Sequence, residues 1–158
     1  MPQIDVRPLG GEYYPRLVEI WAAAVRATHH FLEEEDFKYF HARIASDYLP
    51  NVTLYGAFAA GGAQSRAGCL GFIGLAREAE SAPLHVEMLF VDPPAHRRGV
   101  GRALLNLAKG LSGEVLVDVN EQNQGAVNFY LREGFEVIGH SPLDPSGKAY
   151  PLLHMCLI

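Results

Sequence analysis

Between Leu84 and Val119 the chain reads as strand, loop, helix and strand, and that order forces two strands to lie parallel. LHVEMLFV (residues 84–91) alternates, which predicts Val86, Met88 and Phe90 on one face and His85, Glu87, Leu89 and Val91 on the other. Apolar groups on both faces predict a central strand. A helix is predicted from near Gly99, with Val100, Leu104, Leu107 and Leu111 at helical spacing, Lys109 in its last turn and Gly110 closing it. VLVDV (115–119) is then a buried strand, and such a unit closes as a right-handed crossover between parallel neighbours.

The remaining segments predict antiparallel strands and further helices. Ile4 and Val6 alternate with polar residues in a short first strand. Leu17, Ile20, Trp21 and Ala24 recur at helical spacing from Pro15 to about Thr28, and Phe37, Phe40, Ile44 and Tyr48 repeat that spacing until Pro50 stops the second helix. TLYGAFAAGG (53–62) and GCLGFIGL (68–75), joined by a loop of small residues, read as a hairpin. QGAVNFYLREGF (124–135) places Ala126, Phe129 and Tyr130 on one helical face, and LDPSG (143–147) is a turn before the apolar YPLLHMCLI. At 158 residues, with neither repeat nor linker, the expectation is a single domain over 1–158.

Composition narrows the function. The net charge of -5 sets an overall field that repels nucleic acid and anionic membranes, so an anion must be held by a local cluster. HRRGVGR (96–102) is such a cluster, because a helix start presents free N–H groups, glycine allows close approach, and Arg97, Arg98 and Arg102 add charge. A Walker loop is excluded, since Arg102 and Ala103 follow Gly101, and a dinucleotide fingerprint is disfavoured, since Leu104 stands at the third glycine and DPPAH separates strand from loop. Cys69 and Cys156 lie too far apart in sequence for a CxxC zinc or redox pair. The start lacks the apolar core of a signal peptide, and no run approaches the roughly 20 apolar residues of a spanning helix, so a cytoplasmic protein is expected.

EMLFVDPPAHRRGVGRALL together with VNEQNQGAVNFYLREGF resembles the GNAT family of acyl-CoA-dependent N-acetyltransferases. The resemblance implies an α+β fold: a twisted, mostly antiparallel mixed sheet of six to seven strands, with a parallel pair splayed at the CoA site and about four flanking helices. It also implies that backbone groups of Leu89, Phe90 and Val91 pair with the pantetheine arm of acetyl-CoA. The segment Arg97, Arg98, Gly99, Val100, Gly101 and Arg102 would cradle the pyrophosphate. His96 departs from the family pattern, which has arginine or glutamine there, and is expected to tune affinity only.

Acetyl transfer to an amine requires a neutral amine and a proton for the departing thiolate. The resemblance makes Tyr130 the acid beside the CoA sulfur and Glu87 the base, with His85 as its rival. Asn123 would bond the cofactor arm or serve as an N-cap. Trp21, Thr28, His30, Phe31 and Tyr150 are the acceptor-pocket candidates. Cys69, in an apolar strand without a base, is not expected to form an acyl-enzyme, and His29 beside His30 is not expected to bind metal. The expected activity is direct transfer, in a ternary complex, to an amine of a small molecule, a peptide N-terminus or a protein lysine. The expected oligomeric state is a monomer or a homodimer. The alternative function is a CoA-binding sensor that retains the fold without transfer.

Overall fold

The computed structural model describes residues 3–62 and 65–158; Ala63 and Gln64, in the predicted hairpin loop, lie outside the described residues. The strands are β1 (Ile4–Pro8), β2 (Thr53–Ala59), β3 (Gly71–Ala76), β4 (Leu84–Val91), β5 (Val115–Asn120), β6 (Glu136–Ser141) and β7 (Leu152–Leu157). They form one sheet in the order β1-β2-β3-β4-β5-β7-β6. The pairing of β4 with β5 is parallel and every other pairing is antiparallel. The helices are α1 (Tyr14–Thr28), α2 (Glu34–His41), α3 (Val100–Leu111) and α4 (Gln124–Arg132).

Hydrophobic pattern decides which helix covers which face. Leu17, Ile20, Trp21 and Val25 of α1 and Phe37 of α2 pack with Leu54, Phe58, Phe72 and Met88 on one side of the sheet. Val100, Leu104, Leu105 and Ala108 of α3 pack with Val127 and Tyr130 of α4 over Ile73, Leu75, Val86, Val117 and Val119 on the other. Burying each large aliphatic side chain contributes about 1.5–3 kcal/mol. Lys109 and Glu133, 2.9 Å apart, tie α3 to the end of α4.

Three elements differ from the sequence expectation. α2 stops at His41, and the predicted continuation becomes a π-helical turn over Ile44–Tyr48, in which the Tyr48 N–H reaches the Arg43 carbonyl. Phe37 and Ile44 are buried on either side of this break, so helical spacing survived while the helix did not. Gly110 lies inside α3, which ends at Leu111; Ser112 then turns the chain by bonding both the N–H and the carbonyl of Glu114.

The third difference lies within β4. Leu75 pairs with Val86 and the preceding Gly74 with Met88, so Glu87 is an inserted residue, a β-bulge. The slip of one position sends Val86 toward α3 and α4 but Met88 and Phe90 toward α1, not onto a shared face. His85 and Glu87 therefore no longer belong to one continuous alternating face.

Gly71 of β3 lies where β3, β4 and α3 meet. A Cβ there would come within 2.9 Å of the Phe90 carbonyl oxygen and 3.0 Å of Val100, and the backbone partner cannot yield. Gly71→Ala is expected to lower stability by about 1–3 kcal/mol. Gly113→Ala, which meets nothing within 4 Å, is expected to leave stability near the native value. Urea denaturation of the two variants checks this pair.

Candidate active site

The parallel ladder between β4 and β5 covers Leu84, His85 and Val86 and stops at the bulge. Past Val86 the two strands diverge, and a cleft of about 640 Å³ opens between Glu87–Val91 and Val117–Asn120. Leu89, Phe90 and Val91 keep β3 as a partner on one side only. Apart from the Val91 carbonyl, which meets the His96 ring, their remaining backbone groups need water or a ligand, because a strand edge in mid-sheet is rarely left unpaired.

One end of the cleft is the loop leading into α3. Pro93 and Pro94 start a tight turn, and the His96 ring Nε2, 3.0 Å from the Val91 carbonyl, donates to it and closes the loop behind the strand. Arg97 (φ 66°) and Gly99 (φ 81°) then take left-handed conformations, which turn successive N–H groups toward one side. The Ala103 N–H reaches the Gly99 carbonyl, so the N–H groups of Val100, Gly101 and Arg102 have no intrahelical acceptor. Arg97, Gly99, Val100, Gly101 and Arg102 all line the cleft; Arg98 does not. A Cβ added at Gly101 would meet Phe129 at an ordinary contact distance of 3.6 Å.

Asn123 and Tyr130 bring α4 into the same cleft. The Asn123 Oδ1 caps α4 by accepting from the Ala126 N–H at 3.2 Å, so the cap is present whatever else its amide nitrogen binds. Tyr130 is 6% exposed and sits between Phe129 and Phe135 in edge-on contacts of 5.1 and 5.2 Å. Burial pushes its phenol well above the ordinary value and keeps it protonated. Its hydroxyl makes no hydrogen bond among the described residues, so its donor remains available to a guest in the cleft.

A second cavity, of about 490 Å³, adjoins the first, and Glu87, Met88, Phe90, His29 and Asn120 wall both. Trp21, Phe31 and Tyr150 line this second cavity together with Phe40 and Tyr48, and the carboxylates Asp47 and Asp144 join Glu87 there. Tyr150 is anchored: its hydroxyl donates to Asp36 and accepts the Glu33 N–H at 3.1 Å, while Lys148 pairs with Asp36 at 3.0 Å. These bonds hold the Asp36 carboxyl below its usual range.

Three candidates stand elsewhere. Thr28 lines the first cleft and not the second. His30 lines a small side pocket, and its neighbour His29 takes the position at the junction. His85 lies on the paired side of the bulge and walls neither cavity. Cys69 is fully buried, and burial raises its thiol pKa, which makes it a poor nucleophile. On the open sheet face, Ser141 bonds His154 at 2.6 Å and His154 bonds Asp118 at 2.5 Å, which links β6, β7 and β5.

His29 was missed because helical spacing alone does not say which of two adjacent histidines turns inward at a helix end. The available signal was Thr28, whose hydroxyl at a helix C-terminus can bond the next side chain. Asp47 and Asp144 were missed because each belongs to a turn, and turns are brought together only by the fold.

Among the described residues no helix is long and apolar enough to cross a membrane. The model of the acetyltransferase (GNAT) domain matches residues 57–137, just over half of the chain. The peptidyl-lysine N-acetyltransferase YjaB of Escherichia coli is 36% identical over 155 residues, which cover 98% of this chain and 97% of that protein. YiaC of the same organism, also a peptidyl-lysine N-acetyltransferase, is 26% identical over 78% of this chain and 77% of its own. The solution structure of the apo form of Escherichia coli YjaB superposes with a TM-score of 0.84 over 99% of this chain and 98% of its own. The PaiA N-acetyltransferase of Thermoplasma acidophilum, solved with coenzyme A, shares the fold at a TM-score of 0.74, with 24% identity and 98% of each chain covered. With the family model across the splayed strands and a relative of 36% identity along nearly the whole length, this chain belongs to the GNAT acetyltransferase family.

Proposed function

We propose that this chain, acting as one domain over 1–158, moves an acetyl group from acetyl-CoA directly to the side-chain amine of a peptidyl lysine. The observation that carries this reading is the junction at Glu87, where a cleft ending in free N–H groups meets an apolar cavity edged with carboxylates. The cleft suits an extended arm with a phosphorylated end. The backbone of Leu89, Phe90 and Val91 offers an unpaired edge, and Arg97 and Gly99–Arg102 offer N–H groups and charge. The cavity suits a lysine: Trp21, Phe31 and Phe40 flank an aliphatic stem, and Asp47, Glu87 and Asp144 attract its ammonium. The peptidyl-lysine activity of YjaB and YiaC supports that choice of acceptor.

Lysine has a pKa of about 10.4, so the amine must lose a proton before it attacks the thioester. Glu87, at the junction, is the base that receives it, directly or through water. Tyr130 holds its proton beside the departing sulfur. A thiol, with a pKa of about 8.5, is a stronger acid than the buried phenol. The hydroxyl therefore stabilises the developing thiolate by a hydrogen bond that strengthens as charge grows, and the proton shed by the amine completes the balance. Holding both reactants in adjoining cavities supplies much of the remaining rate.

Calorimetric titration with acetyl-CoA, with NAD as control, followed by thiol release in the presence of lysine peptides, tests the reading. Binding of acetyl-CoA but not NAD, with peptide-dependent thiol release, is expected; failure to bind acetyl-CoA overturns it. Tyr130→Phe is expected to lower kcat by about 10²-fold or more while the KM for acetyl-CoA stays near the native value. Unchanged kcat would remove Tyr130 from the chemistry.

A further inference from the structure

His29 stands where the two cavities meet, just past the last turn of α1, and its hydrogen bonds define which ring nitrogen carries the proton. The Thr28 Oγ1 lies 2.8 Å from the Ala24 carbonyl and 2.7 Å from the His29 Nδ1. A carbonyl can only accept, so the single hydroxyl proton goes to Ala24 and the hydroxyl oxygen must accept from an Nδ1–H. That tautomer leaves a lone pair on Nε2, which has no partner among the described residues. Burial, with a smaller contribution from the charge of His30, brings the His29 pKa down to about 4, so the ring is neutral at pH 7. The charged groups around it are Arg26 and His30 at its own helix end, Glu87 on β4, and Asp47 and Asp144 across the acceptor cavity.

We propose that the Nε2 lone pair of His29, held in place by Thr28, accepts one N–H of the acceptor amine and so aims the nitrogen lone pair at the thioester carbonyl. The proposal rests on the acetyl-transfer reading and deepens it by separating two tasks at the junction. With its pKa near 4 the ring stays neutral at pH 7 and offers Nε2 as a hydrogen-bond acceptor, not as a charge. Deprotonation stays with Glu87, as in that reading, and His29 orients the amine once it is neutral. A neutral acceptor suits this task better than a second carboxylate, because a carboxylate would hold the amine as ammonium, the unreactive form.

Nitrogen-15 NMR of histidine-labelled wild-type protein, with His29 assigned by the signal that His29→Gln removes, is read without any acceptor. A protonated Nδ1 and a bare Nε2 through pH 6–8, with a titration midpoint near pH 4, are expected. Thr28→Val is expected to mix the tautomers. In steady-state assays His29→Leu should lower kcat/KM for a lysine peptide by about tenfold or more. The affinity for acetyl-CoA should be unchanged, and His29→Gln, which carries an amide oxygen near the Nε2 position, should restore most of the loss. An Nε2–H tautomer, a midpoint near 6.5, or native kcat/KM in His29→Leu overturns the proposal. Failure of the transfer reading shows separately, as wild-type protein that releases no thiol with any lysine peptide.

Discussion

The rest of the structure depends on the place where a parallel ladder stops. β4 and β5 share three paired positions and then separate, and the inserted Glu87 marks that point on β4. A mid-sheet break leaves backbone donors and acceptors without partners, a cost that a stable fold accepts only where something else satisfies them. The sheet survives the break because one core bridges it, with Ile73, Leu75 and Val86 on one side and Val117 and Val119 on the other packed together under α3 and α4. α1 covers β2, β3 and the far half of β4 through Phe58, Phe72 and Met88, whereas α3 and α4 cover the near half and β5 through Val86, Val117 and Val119. The bulge also sends Val86 and Met88 to opposite cores, so one strand anchors both layers and holds the gap between them open.

Charge is distributed unevenly around this gap. The chain is acidic overall, yet Arg97, Arg102 and Arg132 stand at the cleft together with the free N–H groups of α3. The carboxylates Asp47 and Asp144 stand at the adjoining cavity, and Glu87 lies on the shared wall. The charge pattern therefore suits the proposed reading, in which an anionic co-substrate and a cationic acceptor enter different openings and meet at Glu87. Between them sit groups held neutral by burial, Tyr130 and His29, which can hydrogen-bond without competing as charges.

Sequence periodicity was informative wherever a single element decides its own geometry. α1, α3 and α4 follow the apolar spacing of Leu17, Leu104 and Tyr130, the hairpin of β2 and β3 follows its small-residue loop, and the crossover through α3 follows from the order of strand and helix. Periodicity misled where two periods fit the same residues. Phe37, Phe40, Ile44 and Tyr48 suit one long helix, but the chain widens into a π turn after His41, so that Ile44 still reaches the core while the path bends toward β2. Alternation in β4 could not disclose a bulge, because a bulge is an agreement between two strands and Gly74 is more than ten residues from Glu87.

The residues of the cleft and of the cavity beside it have different origins. HRRGVGR acts through its own backbone at a helix start, a local property, and the sequence by itself therefore determined that this segment presents N–H groups and arginine charge. It likewise determined the class of fold, since apolar spacing and turn residues act over a few positions. Which side chains face the second cavity was decided by tertiary structure alone. His29 instead of His30, Asp47 and Asp144 beside Glu87, and the exclusion of His85 all depend on how α1, two turns and a bulged strand come together. Contacts between segments so distant along the chain carry no local signature, because the energy that selects them is packing in the assembled core.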